Sequence, residues 1–164
     1  MLVGFMASGK STVGRILASH LGVELVDLDD EAEARAGRPI PEIFAVDGEA
    51  AFRALEVEVT EAADAVRPAV VATGGGWMAR PELRDRWPDA VRVWLRVSPP
   101  TVLARLGGEV ESRPMLDPSD PERSIGRIMD SRLGDYARAE VAVDTDGRSA
   151  AEVAERVLEL LELR

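Results

Sequence analysis

Apolar residues recur along this chain in two rhythms, and the rhythms alternate. Val13, Ile16, Leu17 and Leu21 keep the spacing of one helix face, and Gly22 stands where a helix stops. Short apolar runs separate such stretches at residues 1–3, 23–27, 69–73, 91–97 and 141–144. The run at 69–73 is continuous, as in a strand buried on both faces. Further helices are predicted at 29–36, closed by Gly37, at 41–46, and at 49–66 with Phe52, Leu55, Val59 and Val66 inward. Ser98 can cap a helix that ends near Leu106, and Pro121 starts one that runs to about Leu133. Ser149 and Glu152 form a capping box for a last helix with Val153, Val157 and Leu160 inward. Five strands alternating with helices predict an α/β fold around a parallel sheet with right-handed crossovers. In such folds ligands bind beyond the carboxyl ends of the strands.

One stretch breaks the rhythm. Residues 107–121 hold two glycines, three prolines and several acids, with Arg113 in the middle. They read as a surface loop long enough to serve as a lid. At 164 residues the whole chain, 1–164, is one domain with room for a real core.

Charge narrows the partners. The formal net charge is −10, which argues against nucleic acid, whose binding rests on basic patches. No apolar run is long enough for a membrane span and no signal peptide is visible, so a cytoplasmic protein is expected. The chain has no cysteine, hence no disulfide and no thiolate zinc site. Its one histidine, His20, falls near the end of the first helix and reads as a surface residue.

The lone lysine, Lys10, lies in the most informative segment. Residues 4–12 read GFMASGKST and fit the phosphate-loop pattern G-x-x-x-x-G-K-[ST] between a short strand and a helix. Backbone N–H groups of Ala7, Ser8, Gly9, Ser11 and Thr12 can form a nest for an anion, reinforced by the helix N-terminus. Lys10 can reach the β- and γ-phosphates, and the Ser11 hydroxyl can ligate Mg²⁺. By itself the loop says only nucleotide binding. Two further readings stay open at this level: another small-molecule kinase, such as a gluconate-type kinase, and a non-catalytic nucleotide-binding module.

The remaining polar features are ordered. Asp27 and Asp29 follow the second strand, and in extended geometry they would point to opposite sides. Either could cap the acidic helix that follows, and Asp30 reads as a first-turn acid. Arg53 lies on an otherwise acidic helix, where Glu49 or Glu56 could pair with it. Gly74, Gly75 and Gly76 end the third strand and allow close backbone approach to a ligand. Arg132 and Tyr136 are four residues apart.

This combination resembles the shikimate kinases over nearly the whole chain. The resemblance rests on the phosphate loop, Asp27-Leu28-Asp29, the segment from Gly48 through Phe52-Arg53 to Glu56, Thr73-Gly74-Gly75-Gly76, Arg113-Pro114-Met115-Leu116, and the Arg132/Tyr136 pair. It implies a P-loop kinase fold, a three-layer sandwich around a five-stranded parallel sheet, with a substrate-binding helical region at about 28–56 and a lid at about 107–121. It implies ATP-dependent phosphorylation of the shikimate 3-hydroxyl with Mg²⁺, by a monomer. It also implies roles. Asp29 orients or deprotonates the hydroxyl, and Asp27 lies near Mg²⁺ through water. Arg53 and Arg132 hold the carboxylate, and Gly74, Gly75 and Gly76 lie against the substrate. Arg113 closes over the phosphoryl group; Arg105 and Arg148 flank the adenine, although either could be a surface arginine. The chain departs from the pattern at Ala7, where many members have glycine, at Gly134, where many have proline, and in lid spacing, about one residue longer than in some relatives.

Overall fold

The computed structural model describes residues 1–163, without the side chains of Glu111 and Ser112. Arg164, at the end of the expected domain, and those two side chains within the expected lid lie outside the described residues. All five apolar runs are strands, the first four trimmed by one to three residues and the last as expected: β1 (Leu2–Val3), β2 (Glu24–Asp27), β3 (Ala69–Ala72), β4 (Val93–Arg96) and β5 (Val141–Asp144). They pair in parallel in the order β2-β3-β1-β4-β5. The two-residue β1 is therefore central. The chain crosses to one side of it for β2 and β3 and to the other for β4 and β5. Its carboxyl end is the topological switch point, where such sheets open a crevice.

Helices cover both faces. Leu2 of β1 and Val70 of β3 meet Val13 and Leu17 of α1 (Lys10–Leu21) and Val153 and Val157 of α8 (Ala150–Leu160). The neighbouring residues Val3 and Val71 point the other way, as strand alternation requires. They pack with Phe52 and Val59 of α4 (Gly48–Ala63), Val102 of α6 (Pro99–Leu106) and Ile125 of α7 (Pro121–Tyr136). Each such buried side chain contributes roughly 1.5–3 kcal/mol. Leu21 and Leu160, expected inward, are 38% and 40% exposed; each is the terminal residue of its helix. Leu55 and Val66 are half-buried. The capping box of Ser149 and Glu152 is present.

Three local departures bear on the site. The second strand stops at Asp27, so Asp29 lies in the first turn of α2 (Leu28–Ala36), not on an extended strand. The cause is Asp27 itself, whose side chain accepts from the Asp29 N–H at 3.1 Å and caps the helix. The last turn of α7 carries Arg132, Gly134 and Tyr136, so Gly134 lies inside a helix and not in a turn. Ser98 stands at the N-cap of α6, but its hydroxyl donates to Thr101 Oγ1 and caps nothing.

The stretch after the triple glycine, read from sequence without structure, folds as a short 3₁₀ turn at Trp77–Ala79 and α5 (Pro81–Arg84). α3 (Ile40–Val46) lies between α2 and α4. Trp77 is fully buried and donates from Nε1 to Thr60 Oγ1 at 3.2 Å; Thr60 in turn donates to the Glu56 carbonyl at 2.7 Å. This chain of bonds fixes the glycine segment against α4.

Gly4 shows how tightly the switch point is built. Its φ is +145°, and an added Cβ would sit 2.6 Å from the Leu95 carbonyl oxygen and 3.1 Å from Ser8 Oγ. Backbone cannot retreat as a flexible side chain can. Gly4→Ala is expected to lose at least ~2 kcal/mol of stability. Urea unfolding checks this; a loss under ~0.5 kcal/mol, the usual range of a surface change, would contradict it.

Candidate active site

The phosphate loop joins β1 to α1 at the switch point. α1 begins at Lys10 with no side chain capping it, so its first N–H groups face outward unclaimed by the helix. Ala7 takes the left-handed conformation, φ +56°, which costs a non-glycine residue on the order of 1 kcal/mol. Arg105 secures it, donating to the Ala7 carbonyl at 3.0 Å and to Thr145 Oγ1 and O at 3.2 and 2.8 Å. Lys10 is buried and folds back over the loop, donating to the Gly4 and Phe5 carbonyls at 3.0 and 2.8 Å. Burial pulls its ammonium below the ordinary value, and Asp29 and Asp27 oppose that pull.

Asp27 Oδ1 is spent on the α2 cap, while Oδ2 is buried with no hydrogen-bond partner. An orphaned anionic oxygen is costly unless a cation or water completes it. Asp29 is partly open to the cavity, yet its carboxyl lies deep enough that burial pushes it up to about 6, against the pull of Lys10. Asp27, Glu56 and Asp30 push in the same upward direction.

The triple glycine is the surface on which Asp29, Glu56, Arg53 and Arg132 meet. A Cβ on Gly74 would lie 3.0 Å from Asp29 Oδ1 and 3.1 Å from Glu56 Oε1; one on Gly76 would lie 3.4 Å from an Arg53 nitrogen and 3.6 Å from an Arg132 nitrogen. Any side chain here would occupy the space between an aspartate and two arginines. Arg132 donates to the Gly75 carbonyl at 3.1 Å and lies over the Phe5 ring; Tyr136 also donates to Gly75 O. Arg53 pairs with Glu49 at 2.9 Å and with Glu56 at 3.1 Å while its guanidinium covers Phe52. Both partners foreseen for Arg53 are thus engaged, and the arginine still faces the cavity.

Asp29, Arg53, Gly74, Gly75, Gly76, Arg113, Arg132 and Ser11 line one cavity of 370 Å³, walled by Phe44, Phe52 and Met115. Arg113 donates to Glu109 at 3.3 Å, and its Nε is buried without a partner. The lid opens with a 3₁₀ turn at Gly107–Ser112 instead of irregular loop, and Leu116 anchors it in the core. A second cleft, 240 Å³, joins Ser8, Gly9 and Thr12 to Arg105, Thr145 and Arg148. A larger cavity of 590 Å³ opens at the opposite end of the strands, among Leu17, Ala69, Val91 and Trp87. Its mostly apolar walls offer no phosphate nest.

Sequence reasoning missed Arg80, and it took Glu56 only as a partner of Arg53. Glu56 is 4% exposed at its side chain and takes two arginines, Arg53 and Arg80, on Oε2. A signal existed: Glu56 falls on the same helical stripe as Phe52, Val59 and Ala63. A carboxylate on an apolar stripe needs a cation.

Comparisons with known proteins decide the family. The model of the family described as shikimate kinase matches residues 6–162. The chain belongs to the shikimate kinase family. It is 43% identical over 162 residues to the shikimate kinase of Moorella thermoacetica, covering 98% of this chain and 92% of that one. To the shikimate kinase of Synechococcus elongatus it is 41% identical over 161 residues, 98% and 84% of the two chains. A solved shikimate kinase from Acinetobacter baumannii in complex with shikimate superposes with a TM-score of 0.93 at 33% identity, covering 98% and 90%. One from Aquifex aeolicus gives 0.84 at 34%, covering 98% and 94%. The fold is the P-loop kinase fold, and the chain is a phosphotransferase with an alcohol acceptor.

The raised Asp29 carboxyl has a consequence for stability. From its ordinary value of 3.8 up to about 6, the folded state keeps a proton that the unfolded chain has released, so rising pH erodes stability across this window. In the unliganded protein Asp29→Asn is expected to gain ~2 kcal/mol more over the parent at pH 7.5 than at pH 4. Urea melts at the two pH values check it; a difference independent of pH would contradict it.

Proposed function

We propose the following division of labour for the reaction of this chain, the ATP-dependent phosphorylation of shikimate at its 3-hydroxyl to give shikimate 3-phosphate and ADP in aromatic amino-acid (chorismate) biosynthesis. The supporting observation is the 370 Å³ cavity, lined by three arginines (Arg53, Arg113 and Arg132), by Asp29, Asp30, Glu33 and Glu56, and by the bare glycine backbone, with the buried phosphate-loop Lys10 close enough to act on Asp29.

The loop N–H groups of Ala7, Ser8, Gly9, Lys10, Ser11 and Thr12 cradle the ATP phosphates, and Arg105 and Arg148 flank the base in the 240 Å³ cleft. On phosphate binding the Lys10 ammonium exchanges the Gly4 and Phe5 carbonyls for phosphate oxygens. Ser11 and the unpartnered Asp27 Oδ2 fit Mg²⁺, the aspartate through water, since the ion keeps part of its hydration shell. When bound, Mg²⁺ neutralises charge on the β- and γ-phosphates. Arg53 and Arg132 hold the acceptor carboxylate by paired N–H donors, and the glycine backbone lets the ring approach. That pose sets the 3-hydroxyl against Asp29. A carboxyl titrating near 6 is ionised at neutral pH and basic enough to orient the hydroxyl and accept its proton. Arg113, carried by the lid, closes on the phosphoryl group and excludes water. α2, α3 and α4 form the helical substrate-binding region. We further infer that the protein acts as a cytoplasmic monomer without nucleic-acid or membrane partners; among the described residues no helix is long and apolar enough to cross a membrane.

With Mg·ATP, shikimate is expected to release ADP at a kcat/KM at least ~10²-fold above that for the analogue lacking the carboxylate, because the analogue forgoes the charge-assisted bonds to Arg53 and Arg132. A coupled ADP assay over a small panel of hydroxy acids tests this. Equal turnover of the two acceptors, or turnover of a sugar acid instead, would contradict it. Arg113→Gln is expected to lower kcat by ~10²-fold or more while ATP binding changes little. A loss confined to the ATP KM would contradict the lid role.

A further inference from the structure

Glu56 is a potential obstacle in the acceptor site. Its buried carboxylate lies 3.1 Å from the Arg53 guanidinium, the group read above as the acceptor's anchor. An arginine matched by a buried carboxylate, and by Glu49 at 2.9 Å, has little net charge left for a substrate anion. The same carboxylate presents its other oxygen, Oε1, beside Gly74, across from Asp29. Left alone, Glu56 would repel both an incoming carboxylate and the ionised form of Asp29.

Arg80 resolves this. It enters from the turn after the glycine segment and donates to the same Glu56 oxygen that Arg53 uses, at 2.9 Å. It also donates to the Arg53 backbone carbonyl at 3.1 Å and pairs with exposed Glu82 at 2.7 Å. Its own side chain is 19% exposed, so its charge acts mostly inside the protein. It does not line the acceptor cavity. We propose that Arg80 is a positioning residue that neutralises Glu56, leaving Arg53 electrostatically free to bind the acceptor carboxylate while holding it at the glycine wall. Glu49 and Glu82 are 58% and 56% exposed, so water screens their charges; among the groups held inside the protein, two arginines against one carboxylate leave one positive charge, and Arg53 is the arginine that faces the cavity.

The proposal rests on the reading of Arg53 as carboxylate ligand, and the test separates the two. Steady-state kinetics are measured for Arg53→Gln, Arg80→Gln, Arg80→Lys, Glu56→Gln and the double variant Glu56→Gln/Arg80→Gln, with shikimate and ATP varied in turn. Arg80→Gln is expected to raise the shikimate KM about tenfold, with the ATP KM within about twofold. Arg80→Lys, which keeps the charge, recovers most of this effect. In the double variant Glu56 no longer needs neutralising, and the shikimate KM returns to within about threefold of the parent. That double variant also leaves no buried unpaired carboxylate, so it reads the proposal even where Arg80→Gln does not fold. A double variant with KM still raised tenfold or more, or an Arg80→Gln that lowers the melting temperature without moving the shikimate KM, would overturn the proposal. If Arg53→Gln itself leaves the shikimate KM unchanged, the carboxylate reading fails, and the proposal with it. If Arg53→Gln raises KM and Arg80→Gln does not, the proposal alone fails.

Discussion

The structure depends on keeping several charges at the carboxyl edge of a parallel sheet with little water to separate them. Lys10, Asp27, Asp29 and Glu56 are all drawn away from solvent, and each is tolerable only because of the others. A charge buried alone would cost several kcal/mol or lose its ionisation. Here Lys10 leans on loop carbonyls, Asp27 on a helix N-terminus, Glu56 on two arginines. Asp29 has the weakest support, and its carboxyl is the one pushed up to about 6. The group whose burial is least offset by its neighbours is the one read as acting on the substrate hydroxyl, as expected when function draws on local instability.

The fold is arranged to hold that edge rigid. β1 has two residues, but it lies at the centre of the sheet between β3 and β4, and Gly4 is pressed against the Leu95 carbonyl as the chain leaves it. Trp77, with Thr60, secures the glycine segment from behind. Arg105 ties the strained Ala7 to the turn after β5, so the phosphate loop and the cleft between Thr12 and Arg148 share one brace. The glycine expected at Ala7 is therefore dispensable: its conformation is imposed from outside the loop.

Much of this was legible in the sequence because it is periodic or locally patterned. The five strands follow from short apolar runs, the phosphate loop from glycine and lysine spacing, and the gathering of Asp29, the triple glycine and Arg113 from the rule that parallel sheets bind ligands at one edge; the places of Arg53 and Arg132 came from the family resemblance. What was not legible depends on contacts between distant segments. A helix near 29–36 and an aspartate cap for it were legible, but the capping bond from Asp27 starts the helix at Leu28, so Asp29 does not keep the extended geometry that would point it away from Asp27. Gly134, where many relatives have proline, lies inside α7, whose last turn is anchored by buried Tyr136. Arg80 and Glu56 are 24 residues apart, and no pattern in either segment announces the pair. Glu56 could have been suspected from its place on an apolar stripe; Arg80 could not.

The central claim is that Asp29 is a desolvated carboxyl whose ionisation is set by its buried neighbours. Carbon-13 NMR titration of the Asp29 carboxyl, in the unliganded parent and in Lys10→Met, measures that directly. The account predicts a midpoint of about 6 in the parent and a clearly higher one without the lysine charge. A midpoint near 4 in the parent, or one that does not move when Lys10 is replaced, would contradict it.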